Sequence, residues 1–320
     1  MKNNSVEAIT EKLKNTNSAG VFCHIRPDGD ALGSGLALVL ALRSAGKNAY
    51  LFCDDPSPEK FSFLPAVREL KNSLTGDKFD TLISVDCADV QRLGSFSKYF
   101  QKFSGITLNI DHHVSNDGYA NINYVEVCPA TCEIMTEIIR RSGFEVNDEI
   151  ANLLMLGLVT DSGNFTHKDV TPKTYETAAY LRGKGADVHL INYNMYSRQT
   201  KTRALLYGRV VNKLKFALED KFAYIVINRE DFASTGATGD STEGFVDFPL
   251  SVDGVEVAAS VMEFKENQYK VSLRSKGKVN VSSLAAAFGG GGHILASGCM
   301  IFGTLEEVLD RLTYAVYQNL

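Results

Sequence analysis

Short β-rich runs of apolar residues alternate with longer runs of helical periodicity over about the first 190 residues. This alternation is typical of a parallel sheet whose strands are connected by crossover helices. We predict strands over residues 20–24, 47–53, 81–86 and 105–111, and helices over residues 31–45, 130–142, 148–159 and 172–183. Three of the four predicted strands end in an acidic residue or a histidine. Open parallel sheets bind ligands beyond the carboxyl ends of their strands, so these side chains should lie at one binding edge.

The pattern changes after a polar, helical stretch over residues 187–214. The apolar runs beyond it predict antiparallel or mixed strands over residues 222–228, 255–264 and 268–274. Thr304 and Glu307 form a capping-box pattern, which predicts a final helix to about residue 318. We therefore predict an α/β fold with a parallel-sheet domain over residues 1–190, a helical linker over 191–208 and a smaller mixed-sheet α/β domain over 209–320.

The composition agrees with two domains, because 320 residues exceed what one hydrophobic core usually supports. With 44% hydrophobic residues, no signal peptide and no apolar stretch long enough to span a membrane, we expect a soluble, cytoplasmic protein. The net charge of −5 argues against a protein that holds long nucleic acid, because that affinity comes mainly from lysine and arginine on phosphates. A short phosphate-bearing substrate stays open.

Titratable side chains concentrate after the predicted strands. The stretch FCHIRPDGD places His24, Asp28 and Asp30 in a turn whose proline and glycine interrupt regular geometry, so the three side chains can converge. Asp86 ends a second apolar strand, and the triplet Asp111-His112-His113 ends a third. Imidazoles suit transition metals and carboxylates suit harder divalent ions. Together these residues predict a metal site rather than three unrelated turns.

Asp161 is singled out by helical periodicity. In the predicted helix over residues 148–159, the apolar stripe includes Leu154, Gly157 and Leu158, and the i+3, i+4 spacing places Asp161 on the same side. A buried carboxylate without a partner is strongly unfavourable, and no basic residue lies on this stripe, so the pattern favours a metal. Two divalent ions about 3.5 to 4 Å apart, sharing one carboxylate, would use the whole set to clamp a phosphorus centre.

A run of glycines marks the second domain. Residues 288–293, FGGGGH, offer backbone N–H groups that can approach an anion closely, and Arg274 can hold phosphate oxygens bidentately. Four glycines alone are also typical of flexible loops, but His293 and the apolar residues on both sides favour a structured phosphate site. We interpret Lys270 and Lys278 as parts of a solvated face.

These motifs resemble the DHH phosphoesterase superfamily, and within it the small two-domain proteins similar to nanoRNase/pAp phosphatases (bifunctional oligoribonucleases) and to stand-alone cyclic-dinucleotide phosphodiesterases. The motifs occur in the family's order: HIRPDGD (24–30), VDCAD (85–89), DHH (111–113), LVTDSGNF (158–165) and FGGGGH (288–293). The resemblance covers nearly the whole chain. It implies a DHH domain, a DHH-associated domain, and an active site in the cleft between them that holds two Mn²⁺ ions, with Mg²⁺ or Co²⁺ as substitutes.

The resemblance also implies residue roles. One ion would be held by His24, Asp28 and Asp86, and the other by Asp30, Asp86, His112 and Asp161, with Asp86 bridging. The implied catalytic residues are Asp86, Asp111 and His113, and Asp111 would orient the histidine that follows it. The implied contacts to the substrate phosphate are His113, Arg274, Ser275, Gly290, Gly291, Gly292 and His293, with Arg203 as a weaker candidate. The implied reaction is in-line attack of a metal-activated water on phosphorus.

The sequence leaves the substrate open. The FGGGGH motif differs from the lysine- and arginine-rich phosphate site of family II pyrophosphatases, and 320 residues leave no room for the added domains of RecJ-type exonucleases. Very short oligoribonucleotides and the 3′-phosphate of pAp are the leading hypothesis, with pApA or cyclic di-AMP as the alternative. A nucleotide sensor without hydrolysis is disfavoured by the complete ligand set. The resemblance further implies a homodimer, with neither long nucleic acid nor a membrane as a partner.

Overall fold

Five parallel strands form the first sheet: β1 (Ser18–Phe22), β2 (Asn48–Phe52), β3 (Thr81–Val85), β4 (Ile106–Asp111) and β5 (Ile122–Val125). Their order in the sheet is β2-β1-β3-β4-β5, which confirms the predicted parallel α/β architecture. The accompanying helices are α1 (Val6–Asn15), α2 (Gly29–Ser44), α3 (Ser97–Gln101), α4 (Thr131–Arg141), α5 (Asp148–Asp161), α6 (Pro172–Gly183) and α7 (Val188–Asn192). Shorter turns are the 3₁₀ segments Glu59–Phe61, Pro65–Glu69 and Val90–Phe96, and the π-helical turn Tyr193–Ser197.

The computed structural model describes residues 3–76 and 78–320, which divide by their contacts into a first unit, Met1–Arg198, and a second unit, Gln199–Leu320. The domain limits predicted from the sequence stay a prediction. Within the described residues, no helix has the length and apolar character needed to cross a bilayer.

The first unit buries both faces of its sheet, so β3 is apolar or small at every position and buried throughout. Helices α2 and α5 pack closely against each other. Gly157 of α5 permits this approach, because a Cβ at that position would lie 2.5 Å from Oδ1 of Asp30 on α2. The close packing brings Asp30 and Asp161, at the ends of the two helices, to the same edge of the sheet.

The second unit is built on a mixed six-stranded sheet. Its strands are β6 (Lys215–Ala217), β7 (Phe222–Ile227), β8 (Val257–Lys265), β9 (Gln268–Ser275), β10 (Gly291–Gly292) and β11 (Ala296–Phe302). Its helices are α8 (Lys201–Val211), α9 (Arg229–Thr235), α10 (Asp247–Ser251), α11 (Val281–Ala286) and α12 (Leu305–Tyr317), with a 3₁₀ turn at Gly239–Thr242. The strand order is β10-β11-β9-β8-β7-β6, in which β7 and β8 are parallel and the other pairs antiparallel.

The two faces of this second sheet are covered unequally. Helices α11 and α12 cover one face, with side chains such as Leu284 and Leu312. On the other face, residues of α8 and the segment around Phe245 cover β7 and β8, and on β9 this cover reaches Arg274 at the end of the strand through Asp247. Alternate residues of β9 and β11 therefore stay partly exposed: Gln268, Lys270, Ser272, Arg274, Ala296, Gly298, Met300 and Phe302. We call these eight residues the open half-face.

Candidate metal centre

Three neighbouring strands deliver the predicted residues to one edge of the first sheet. His24 follows β1, Asp86 follows β3 directly, and Asp111 is the last residue of β4, with His112 after it. Asp86 has a left-handed backbone with φ of 52°, and its N–H still donates to the carbonyl of the adjacent β4. The chain thus turns sharply at Asp86 while its side chain is kept buried at the strand end.

The ends of α2 and α5 supply the remaining carboxylates. Asp28 is the N-cap of α2 and accepts hydrogen bonds from the N–H of Asp30 (3.1 Å) and of Ala31 (3.0 Å). The buried Asp30 carboxylate accepts from the N–H groups of Thr131 (2.6 Å) and Cys132 (2.8 Å), at the start of α4. These backbone bonds fix both carboxylates in place.

All six predicted metal ligands come together in the structure. Two sets of their ligand atoms lie within 4.8 Å of one another: His24, Asp28 and Asp86; and Asp30, His112 and Asp161. A third set adds a residue outside the six, His113, to Asp86 and His112. Asp86 occurs in two of these sets, as expected for a carboxylate between two sites. This grouping agrees with the predicted division, in which His24 and Asp28 serve one ion and Asp30 and Asp161 serve the other. Metal binding itself stays a prediction.

The main chain orients the two candidate histidine ligands. Nδ1 of His24 bonds the carbonyl of Ile25 (2.8 Å), and Nδ1 of His112 bonds the carbonyl of Cys128 (2.9 Å). A carbonyl only accepts, so each Nδ1 carries a proton and each Nε2 faces the carboxylates. Nε2 of His24 lies 3.5 Å from an oxygen of Asp86, and Nε2 of His112 lies 3.5 Å from the other.

Nε2 of His112 is buried and has no hydrogen-bond partner among the residues that the structure describes. A buried nitrogen with its lone pair aimed at carboxylates is what a metal ion would satisfy. No lysine or arginine within residues 3–76 and 78–320 forms an ion pair with the four acidic ligands. The donor set therefore fits divalent cations.

The pKa values of the cluster show the effect of burying several carboxylates together without a cation. Burial and the neighbouring carboxylates raise the pKa of Asp30 well above its usual range and that of Asp161 to about 10. Burial lowers the pKa of His24, but the carboxylates of Asp28 and Asp86 outweigh it and raise the value to about 10. Protons thus occupy the cluster when no metal does, and metal binding must release them.

Asp111 has a different partner from the one predicted. Its carboxylate accepts hydrogen bonds from Nδ1 of His113 (2.8 Å) and from Nδ2 of Asn116 (2.6 Å). The prediction that Asp111 orients His112 was wrong, because the carbonyl of Cys128 holds that ring. His113 stays 34% exposed, so a fixed imidazole remains accessible to substrate. Asn116 was missed, since nothing in its loop marks it.

In the second unit, Arg274 lines a cavity of about 380 Å³ together with Ser260, Ser272 and Lys270. Its Nε lies 3.3 Å from the carboxylate of Asp247. Ser275 points to the other, core side of β9, where it is buried and accepts a hydrogen bond from the N–H of Gly277. Strand alternation could have identified Ser272 as the serine beside Arg274.

The glycine run is a structured turn rather than a free anion cradle. Gly291 and Gly292 form β10 against β11. The N–H of Gly290 donates to the carbonyl of Ala285 (2.9 Å), and the N–H of His293 donates to the carbonyl of Ala296 (2.7 Å). The expectation that Gly290 offers a free N–H was therefore wrong, although the exposed His293 ring stays accessible.

Arg203 is engaged inside the second unit. Its guanidinium donates to the carbonyls of Ser241 and Glu243 and lies 4.7 Å from the centre of the Phe245 ring. These bonds stabilise the segment that covers β7 and β8. A substrate phosphate would have to displace these hydrogen bonds. The structure therefore explains Arg203 as a structural residue of the second unit.

Comparison with known proteins identifies the family. The model described as "DHH family, N-terminal domain" matches residues 19–158, and the DHHA1 domain model matches residues 204–319. The bifunctional oligoribonuclease and PAP phosphatase NrnA of Thermus thermophilus is 31% identical over 305 residues, covering 94% of this chain and 89% of that protein. This chain belongs to the DHH family.

Other DHH-family relatives agree with this assignment. The protein of the same name from Bacillus subtilis is 28% identical, covering 90% of each chain. Both relatives are thus named as hydrolases of phosphoesters. The crystal structure of an exopolyphosphatase-related protein from Bacteroides fragilis has a TM-score of 0.87 and 27% identity, and covers 98% of this chain and 95% of that one. Nearly the whole chain therefore shares its fold with that protein.

Proposed function

We propose that this DHH-family chain is a phosphoesterase that uses two divalent ions, preferably Mn²⁺, to hydrolyse very short oligoribonucleotides and the 3′-phosphate of pAp. The observation that carries this proposal is the pair His24 and His112. Both rings have Nδ1 held by main-chain carbonyls and Nε2 aimed at a buried carboxylate cluster. The names of the relatives from Thermus thermophilus and Bacillus subtilis support the substrate class.

In this proposal each residue has a distinct role. One ion would be held by His24, Asp28 and Asp86, and the other by Asp30, Asp86, His112 and Asp161. When bound, the ions supply a water of lowered pKa and positive charge beside the phosphorus. His113, whose Nδ1 donates to Asp111, would in its doubly protonated form donate from Nε2 to a phosphate oxygen. Arg274 would bind a phosphate bidentately.

The test is a side-by-side assay with Mn²⁺ on pAp, a 5′-labelled diribonucleotide, pApA, cyclic di-AMP and pyrophosphate. The variant Asp86→Asn keeps the size of the side chain and tolerates the left-handed backbone, so it removes charge without unfolding the turn. We expect it to lower turnover by at least about 100-fold. Asp117→Asn, at an exposed position of the same unit, is the matched control.

Each outcome of the assay is informative. Preference for pAp and the dinucleotide supports the proposal, whereas preference for pApA or cyclic di-AMP would favour the alternative substrate class. Preference for pyrophosphate, or normal turnover by Asp86→Asn, would contradict it. Tight nucleotide binding without phosphate release across several metals would indicate a sensor.

A further inference from the structure

The open half-face carries basic side chains at its centre and at one end. Lys270 and Arg274 are four residues apart on β9, which separates them by about 13 Å along the strand. Lys270 lines three neighbouring cavities, of about 380, 400 and 440 Å³. The first of these it shares with Arg274, and the third with Phe302. A ligand held at Arg274 could therefore extend along the sheet past Lys270.

The ammonium group of Lys270 is available to an anion. Over the described part of the chain it forms neither an ion pair nor a hydrogen bond, and the side chain is exposed. Some basic residues of the second unit do have acidic partners: Lys213 bonds the buried Asp231, and Arg274 lies beside Asp247. An exposed lysine that has no acidic partner and is shared by neighbouring cavities is complementary to a bridging phosphate.

The 440 Å³ cavity has the surface that a nucleobase needs. Two aromatic rings, Phe288 and Phe302, line it together with Met300 and the backbone of Gly298, and Lys270 is its one charged lining residue. Phe302 is 64% exposed. Open sheets that present aromatic rings beside basic groups bind single-stranded RNA, because a base stacks on the ring while its phosphate meets the cation.

The neighbouring 400 Å³ cavity is less suited to this role. It offers aromatic rings, but Asp240 and Glu263 also line it, and their carboxylates would repel a phosphate. The 380 Å³ cavity contains Asp240 and Glu243 beside Arg274, whereas no acidic residue of the described chain lines the 440 Å³ cavity. Apart from the contact between Asp247 and Arg274, the segment around Phe245 that covers β7 and β8 packs no further along the sheet than Met262 of β8. The alternate residues of β9 and β11 on that face therefore stay accessible. The observations therefore favour the path from Arg274 past Lys270 towards Phe302.

We propose that the open half-face is a subsite for the nucleotide that follows the one held at Arg274, with its phosphate on Lys270 and its base on Phe302. The subsite rests on the proposed function. A single nucleotide such as pAp would not reach it, whereas a di- or trinucleotide would. Lys270 and Phe302 would then determine how strongly the enzyme prefers oligoribonucleotides over pAp.

The kinetic test compares Lys270→Met and Phe302→Ala with matched changes on β6, at the opposite edge of the sheet. Lys215→Met and Phe216→Ala are the controls, because both residues are exposed. We expect kcat/KM for triadenylate to fall about tenfold in each open half-face variant, mainly through KM, as loss of one stacking or phosphate contact predicts. Hydrolysis of pAp should stay within about twofold of the parent.

A binding measurement gives a second readout. In the inactive Asp86→Asn background, fluorescein-labelled triadenylate is titrated at several salt concentrations. Adding Lys270→Met should reduce the slope of log affinity against log salt by about 0.7, the value for one phosphate contact on a single strand. Lys215→Met should leave that slope unchanged.

The results separate the two proposals. If the parent hydrolyses neither pAp nor triadenylate, the proposed function fails. If the parent hydrolyses both and the open half-face variants behave like the β6 controls, the subsite is overturned while the function stands. Equal losses on pAp and triadenylate would also overturn it, by assigning Lys270 to the first nucleotide. A changed sedimentation coefficient for Phe302→Ala would assign the face to a second copy of the chain instead.

Discussion

The substitution Asp161→Asn separates the electrostatic strain of the carboxylate cluster from its capacity to bind metal. A carboxylate oxygen of Asp161 lies within 4.8 Å of one on Asp30. Two unit charges at that distance repel by about 3.5 kcal/mol at an effective dielectric constant of 20. Without metal, the folded parent avoids this repulsion by keeping Asp161 protonated, which itself costs free energy at neutral pH. The asparagine has nearly the same shape but cannot ionise, so this cost disappears.

The pH dependence follows from the pKa of Asp161, which burial and the carboxylates of Asp30, Asp28 and Asp86 raise from 3.8 to about 10. Because the folded state holds the proton of Asp161 more tightly than the unfolded state, folding stability is fully present only below pH 3.8, the pKa of the unfolded state. It is lost progressively as the pH rises towards 10. At pH 7.5 and without metal, we therefore expect Asp161→Asn to be more stable than the parent by about 3 kcal/mol. The difference should vanish near pH 4.

Thermal unfolding with EDTA and with Mn²⁺ measures the effect. A gain of about 3 kcal/mol corresponds to roughly 6 to 12 °C for a unit of this size. Mn²⁺ at 100 times its dissociation constant should stabilise the parent by about 2.7 kcal/mol and the variant much less, which closes the gap. Asp117→Asn should follow the parent in both conditions. A variant that is less stable than the parent in EDTA, or a parent that no divalent ion stabilises, would refute this reasoning.

Three further substitutions test positions outside the cluster. Burial raises the pKa of Glu133, and its Oε2 has no hydrogen-bond partner within the described residues. In urea unfolding, Glu133→Gln should therefore be more stable than the parent by about 1 kcal/mol at pH 7.5 but not at pH 4. Equal stability of variant and parent at pH 7.5 would argue against a buried, ionised Glu133. Asp231→Asn should cost about 3 kcal/mol, since the buried carboxylate pairs with Lys213 (2.6 Å). Burial would raise the pKa of Asp231, but hydrogen bonds from Lys213, Asn228 and Arg209 outweigh it and lower the pKa. The stability difference between Asp231→Asn and the parent should therefore shrink as the pH falls below 4. A difference that does not change with pH would contradict an ionised Asp231. Gly290→Ala should lower the melting temperature, because its Cβ would overlap a backbone oxygen of β11. Gly291→Ala should leave the melting temperature unchanged, because the space at that position is open. Equal effects of the two substitutions would show that the turn adapts.

The candidate site could be predicted where topology or periodicity alone decides it. Asp86 and Asp111 end adjacent parallel strands, and the stripe of α5 carries Asp161 to the same edge. The partner of Asp111 could not be predicted, because the two histidines after it are equivalent in sequence. The choice is made by the carbonyl of Cys128, 16 residues away from His112.

The fold was predicted well in the buried strands and poorly at the edges. Strands β3 and β4 begin and end within one residue of the prediction, since apolar runs between turns define them. The prediction for β1 extended to residue 24, but its ladder ends at Phe22 because the next residues turn into the site. Strand β10 consists of two glycines and was missed, since its pairing with β11 is a tertiary interaction.

The main-chain anchors of His24 and His112 also affect how the site can change over time. Substitution at Ile25 or Cys128 alters a side chain but keeps the carbonyl that holds the imidazole. A replacement that fits the local packing therefore leaves the hydrogen bond to the ring in place; at Cys128, which is buried in the core, that packing limits the choice. If the cluster binds metal as proposed, a change of metal preference would have to come from the carboxylates, because the backbone fixes the orientation of both imidazoles.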